Sequence, residues 1–151
     1  MSASDDMRQL VERIVAAIGV DADVRMEDDG ETLTGTIEGG SLSLLIGHHG
    51  QTIDAIQHLA ARVVLRDGPD SDRRRVVVDA DGYRARRREA LEHQADDAAD
   101  ESVQTGSEVE LDPMSPAERR IVHEHLRDRD DVETHSEGEG ADRRLVISPA
   151  G

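Results

Sequence analysis

Tyr83 is the only aromatic side chain among 151 residues. Any core must therefore be packed from Leu, Ile, Val, Met and Ala, which bury less surface per side chain than Phe or Trp. A chain of this length under that restriction makes one domain or two small ones, with little burial to spare. There is no Cys, which removes a disulfide scaffold, a thiolate zinc site and a cysteine nucleophile. The longest uninterrupted apolar run, residues 14–18, is far too short to span a bilayer. Residues 1–6 are acidic and carry neither the basic nor the apolar stretch of a secretory signal. The expectation is a protein of a reducing cytoplasm with no membrane insertion.

Two periodicities alternate along the chain. Leu10, Val11, Ile14, Val15 and Ile18 share one helical face, and Gly19 stops it. Val20, Ala22, Val24 and Met26 then alternate with Asp21, Asp23, Arg25 and Glu27, the mark of a half-buried strand. Asp28-Asp29-Gly30 supplies a turn, and Leu33, Gly35 and Ile37, alternating with threonines, complete a hairpin. Ser41 is placed to cap a short helix holding Leu42, Leu45 and Ile46. Beyond Gly47-His48-His49-Gly50, a longer helix carries Ile53, Ile56, Leu59, Ala60, Val63 and Val64 on one side. A loop over 67–72 leads to a strand over 74–79. The order over 7–80 is α-β-β-α-α-β.

A second unit follows. A helix over 83–105 is thinly apolar (Leu91, Ala95, Ala98, Ala99, Val103) and stops at Gly106. Val109 and Leu111 suggest a short strand. Ser115 caps and Pro116 opens a helix reaching about residue 127. Strands over 132–136 and 143–148 flank a Gly138/Gly140 turn. The fold class is α+β in two small domains, residues 7–81 and 82–148, the second a small α/β unit with a three-stranded sheet and the linking helix.

The net charge of −16 argues against a nucleic-acid binder taken whole, but its distribution is uneven. Residues 82–94 carry four Arg and only two Glu, and the middle of the chain holds Arg73-Arg74-Arg75 and Arg86-Arg87-Arg88. The cluster Arg84, Arg86, Arg87 and Arg88 has two readings. One is pairing with nearby carboxylates, for example Arg88 with Glu92; the other is secondary phosphate contact.

Gly47-His48-His49-Gly50 turns the backbone tightly between two helices and leaves amide N–H groups at the N-terminus of the second, where the dipole favours an anion. Such a turn alone also serves as a plain helix connection. In its setting, flanked by Ile46 and followed by Gln51 and Ile53 inside α-β-β-α-α-β, it resembles the KH domain of the type II order, whose G-x-x-G loop clamps backbone nucleotides. KH loops usually carry Lys or Arg between the glycines. Two imidazoles attract phosphate weakly near neutral pH, which makes binding pH-sensitive. No third ligand stands at a spacing that closes a metal site with them.

Arg119 and His123 lie one turn apart on a helix face, away from Ala117, Ile121, Val122 and Leu126. Spacing alone leaves a solvated surface pair equally open. His123-Glu124-His125 is not the zinc motif, because its histidines are two apart. With Ser136-Glu137-Gly138-Glu139-Gly140 and Arg143, however, Arg119-x-x-x-His123 resembles the R-three-H domain, a family that binds single-stranded nucleic acid. The succession of the two motifs, joined by Val78-Asp79-Ala80-Asp81-Gly82-Tyr83, is similar to the Jag (KhpB) family. Many members also carry an N-terminal Jag domain and linker, for which this chain has no room.

The resemblance implies a non-catalytic single-stranded RNA-binding protein of the bacterial cytoplasm, a post-transcriptional regulator or RNA chaperone with a link to cell envelope or division control. It further implies a small single-KH protein partner and no cofactor. On this reading Ile46, Gly47, His48, His49, Gly50, Gln51 and Ile53 form one contact surface, and Arg119, His123 and Arg143 a second. With almost no aromatic residues for base stacking, affinity should be modest and sequence preference shallow. A nuclease built on His123 and Glu124 finds no complete site in the sequence. The alternative is a protein-interaction adaptor with weakened RNA binding, in keeping with the negative charge and the Lys- and Arg-free loop.

Overall fold

The computed structural model describes residues 2–65 and 74–151; the expected loop over 67–72 and Arg73 lie outside the described residues. The chain divides into two compact units, Met1–Arg84 and Ala85–Gly151.

The first unit follows the α-β-β-α-α-β order. Helix α1 (Ala3–Ile18) starts earlier than its apolar face, because Ser2 and Asp5 form a capping box in which the Ser2 hydroxyl accepts the Asp5 N–H at 3.2 Å. It ends at Gly19, whose left-handed backbone (φ 87°) turns its N–H onto the carbonyls of Val15 and Ala16. Strand β1 (Ala22–Asp28) pairs antiparallel with β2 (Thr32–Gly39), Val24 facing Ile37. The turn between them is built by Asp29, whose carboxylate accepts the N–H groups of Glu31 and Thr32; those bonds hold its pKa below the usual carboxylate value. One turn of helix, α2 (Ser43–Ile46), and a longer helix, α3 (Gln51–Leu65), then cross to β3 (Arg75–Ala80), which lies parallel to β2 in a sheet of order β1-β2-β3.

The core of this unit is aliphatic throughout: Met7, Val11, Leu33, Ile37, Leu45, Ile53 and Val78 are fully buried. Two expectations are corrected. Ser41 does not cap α2; Leu42 occupies the N-cap, and its side chain is buried in the core. Leu59 is 50% exposed, because the buried stripe of α3 runs through Ile53, Ile56, Ala60 and Val64 and Leu59 lies about 100° off its centre at 100° per residue.

In the second unit, α4 (Tyr83–Thr105) buries Leu91, Ala95, Ala98, Ala99 and Ser102. Val103 is exposed instead, and Ser102 takes the inward position, its hydroxyl donating to the Ser107 carbonyl at 2.8 Å. Strand β4 (Val109–Glu110), helix α5 (Pro116–Leu126) and strands β5 (Val132–Glu137) and β6 (Arg144–Pro149) complete it, with an antiparallel sheet of order β4-β6-β5. Ser115 caps α5 by accepting the Glu118 N–H, with Pro116 in the first turn.

An alanine seam buries little, and charges join α4 to α5 along its length. Arg87 meets Glu118 through two bonds (2.8 and 3.3 Å), and His125 stands between Glu92 (3.1 Å) and Asp96 (2.9 Å). Beyond α5, Arg129 joins Asp100 and Asp131. Glu92 thus serves His125; the Arg88–Glu92 pairing suggested by spacing is not among the ion pairs of the described residues. The Arg129 guanidinium lowers the carboxyl of Asp131 below its usual value. A carboxyl depressed in the folded state adds stability above its unfolded pKa and loses it as pH falls through the folded one. Stability of this unit should therefore decline below about pH 4, the ordinary carboxylate range. Asp131→Asn should flatten part of that decline in urea unfolding followed across pH.

Candidate nucleic-acid interface

The first surface begins where α2 ends. Gly47 donates to the Ser43 carbonyl at 2.9 Å and adopts φ 74°, ψ −174°, a conformation open essentially to glycine alone. A Cβ there would also collide with the Thr52 side chain. His48 to Gly50 form one 3₁₀ turn with His49 at φ 52°, a left-handed position unusual for a residue with a side chain. Gly50 is buried at φ 79°, and a Cβ would come within 2.7 Å of Cε1 and 2.8 Å of the hydroxyl of Tyr83. The single aromatic of the chain therefore packs against the second glycine of the loop. Sequence reasoning missed that contact; its signal was the placement of the lone Tyr just after the last strand of the unit.

With its glycines pinned, the loop turns both imidazoles outward. His48 and His49 are stacked, ring centres 3.9 Å apart at 24°, and both are exposed. Gln51, at the start of α3, is exposed and Ile46 half-buried. Together they present two polar rings beside the first amides of a helix N-terminus. Ile53, expected on this surface, has no accessible area; it supports the loop from the core.

The Arg cluster separates by partner. Arg84 turns back on its own unit, Nε donating to the Val78 carbonyl (2.8 Å) and Nη1 to Asp54 (2.9 Å). Arg87 is held by Glu118. Both guanidinium groups are thus already bonded within their own units. Arg86 and Arg88 are exposed.

The second surface is assembled around Met114. Arg119 Nη1 donates to the Met114 carbonyl at 2.7 Å, the Met114 N–H donates to the Arg143 carbonyl at 3.2 Å, and Arg143 Nη1 donates to the Gly138 carbonyl at 2.7 Å. The Arg119 side chain of α5 and the Arg143 main chain, on the approach to β6, thereby meet at Met114. One turn on from Arg119, exposed His123 is fixed by a 2.6 Å bond between Nδ1 and Thr134 Oγ1 of β5. Met114 and Thr134 were not singled out from sequence. Thr134 was legible only as an alternate β5 residue on the face of buried Val132. Gly138 permits the tight turn, since a Cβ there would meet the Asp142 carbonyl at 2.8 Å.

Comparison with known proteins matches each half of the chain to a domain family. A model of the KhpA/KhpB KH domain matches residues 5–78, and a model of the R-three-H domain matches residues 89–149. RNA-binding protein KhpB of Clostridium symbiosum is 35% identical over 146 residues, 95% of this chain and 65% of that protein. RNA-binding protein KhpB of Bacillus subtilis (strain 168) is 36% identical over 140 residues, 91% of this chain and 66% of that protein. The chain belongs to the KhpB family. It spans about two-thirds of the length of these two KhpB relatives and 41% of a third, from Lactiplantibacillus plantarum, at 36% identity. Among the described residues, no helix is long and apolar enough to cross a membrane.

The geometry yields two expectations within this KhpB-family chain. Gly50→Ala should destabilise the first unit by about 2–3 kcal/mol, combining backbone strain with a clash at Tyr83. Gly19→Ala, with positive φ but nothing within 4 Å of a Cβ, should cost only about 1 kcal/mol; urea unfolding compares the two. Thr134→Val should leave the fold intact while shifting the ring-nitrogen resonances of His123, read by ¹⁵N NMR, because only the Nδ1 bond is lost.

Proposed function

We propose that this chain binds single-stranded RNA and performs no chemistry on it. The observation that carries the reading is the Gly47-His48-His49-Gly50 loop: two glycines that backbone geometry requires, with outward-turned imidazoles between them at the start of α3. In this reading Ile46, the loop and Gln51 hold a stretch of sugar-phosphate. Arg119, His123 and Arg143 hold another phosphate, the guanidinium fork suiting its oxygens. Arg86 and Arg88 add longer-range attraction. The KH and R-three-H matches and the names of the KhpB relatives support RNA as the ligand.

The domains are taken as residues 7–81 and 82–148. Absence of chemistry is in keeping with KH and R-three-H modules, which act by holding the chain. We extend the reading to a role in post-transcriptional regulation or RNA chaperoning in the bacterial cytoplasm, alongside a small single-KH protein, as the resemblance to the family implies. The second reading, a protein-interaction adaptor, is favoured by the net charge of −16 and by the loop's lack of Lys or Arg.

Anisotropy titration of short labelled RNA pools at two salt concentrations tests the proposal. The slope of log affinity against log salt should be about −0.7 per phosphate neutralised. His48→Asp combined with His49→Asp should weaken binding about tenfold or more, equivalent to some 1.4 kcal/mol of repulsion. Salt-sensitive binding that survives the double change would move the contact to Arg119 and His123. No binding at low salt would leave the adaptor reading.

A further inference from the structure

The loop leads directly into α3, and α3 faces the outer edge of β3. Gln57 of α3 bonds to that edge at Val78, and an outward row of N–H and C=O groups is one that a base edge can pair with. Register shows which peptides look outward. Arg75 N–H donates to the Glu31 carbonyl (2.8 Å) and Asp81 N–H to the Ile37 carbonyl (3.0 Å), so the odd-numbered peptides of β3 bond to β2. In a parallel ladder the even-numbered ones then point away from it. Val78 lies at the middle of that outward row.

Both polar groups of Val78 are already taken by side chains. Gln57, two turns into α3, accepts the Val78 N–H through Oε1 at 3.0 Å. Arg84 donates from Nε to the Val78 carbonyl at 2.8 Å. The cover is itself anchored: Arg84 Nη1 bonds Asp54, one turn before Gln57, at 2.9 Å. The next outward N–H, that of Ala80, is occupied by the Asp79 carboxylate at 2.8 Å. Nothing in the function proposed above uses Gln57 or explains why Arg84 folds back on the strand.

An uncovered N–H and C=O on one residue would select among bases. Adenine and cytosine present an amino donor beside a ring-nitrogen acceptor; guanine and uracil present a carbonyl acceptor beside a ring N–H donor. The order of donor and acceptor is reversed between the two classes, so a fixed peptide discriminates between them. We infer that Gln57 and Arg84 act as a built-in cover over Val78 that keeps RNA held by the loop from being read at its base edges. This inference rests on the RNA-binding reading above and specifies its selectivity. The wild-type chain binds by backbone, and amino and keto bases are equivalent at this position.

The test compares short labelled oligo-C and oligo-U, pyrimidines of equal size, by anisotropy at low salt. It uses the wild-type chain, Gln57→Ala, and the double variant Gln57→Ala with Arg84→Met, which keeps the aliphatic stem. Amide exchange at Val78 is followed by NMR in the same proteins. Wild type should bind both oligomers within about twofold, and the double variant should separate them roughly fivefold, about the worth of one net hydrogen bond. The single variant should accelerate Val78 exchange about tenfold or more while Val77 and Asp79, bonded to β2, stay protected.

Unchanged Val78 exchange in Gln57→Ala would overturn the inference, even if the double variant failed to fold. A fivefold C-to-U preference already present in the wild type would overturn it too. Binding with the same flat ratio in all three proteins would overturn the cover while leaving the RNA reading intact. Absence of binding to either oligomer would overturn both.

Discussion

Tyr83 packed against Gly50 sets much of the first unit's working surface. The ring takes the space a Cβ would fill, so glycine at position 50 lets the loop follow this path from α2 to α3 without strain. That path turns His48 and His49 outward at the start of α3, where the Gln51 N–H donates to the His48 carbonyl. The residue after the tyrosine, Arg84, ties α3 to β3 through Asp54 and Val78. Two consecutive residues at the start of α4 therefore position both the loop that would hold a phosphate and the strand edge beside it. In a chain with a single aromatic, its use here, half-buried against the core and against Gly50, is a strong constraint.

The second unit solves a different problem. Its helix α4 offers alanines where a larger unit would place leucines, and apolar burial from them is small. Side-chain charges make up the difference in specificity if not in energy, since partly exposed ion pairs contribute little each. Arg87 with Glu118, and His125 between Glu92 and Asp96, fix the register of α4 against α5. Much of the acidic surplus in this half is thus structural. Arg119, His123 and Arg143 stand apart from that acidic seam, bonded to main-chain carbonyls and a threonine hydroxyl. A guanidinium bonded to neutral carbonyls leaves a net positive charge for a phosphate, whereas the field of one paired with a carboxylate is largely offset.

Most of the element order was legible, because alternation in 22–37 and helical spacing in α1, α3 and α5 are strong one-dimensional signals. The failures came where a position depends on contacts across the fold. Leu59 is apolar but sits off the buried stripe, and Val103 gives way to Ser102, whose hydroxyl finds a carbonyl inside. The glycine loop was readable from its spacing and setting, as was the Arg119/His123 pair. What sequence did not disclose was how side chains are committed. Ile53 went to the core, and Arg84 and Arg87 to internal partners. Thr134, Met114 and Gln57 acquire meaning only through distant partners. Hydrogen bonds between residues 20 or more positions apart, such as Gln57 with Val78, leave no periodic trace.

The central claim is that two separate patches, one around His48 and His49 and one around Arg119 and His123, meet the same kind of ligand. Titrating the ¹⁵N-labelled chain with a short single-stranded RNA and mapping shifted amide resonances tests it most directly. The account predicts shifts concentrated at Gly47 to Gln51 and at Arg119, His123 and Arg143, with the Glu92, Asp96 and Asp100 face of α4 unchanged. Shifts absent from both patches, or confined to that acidic face, would contradict it.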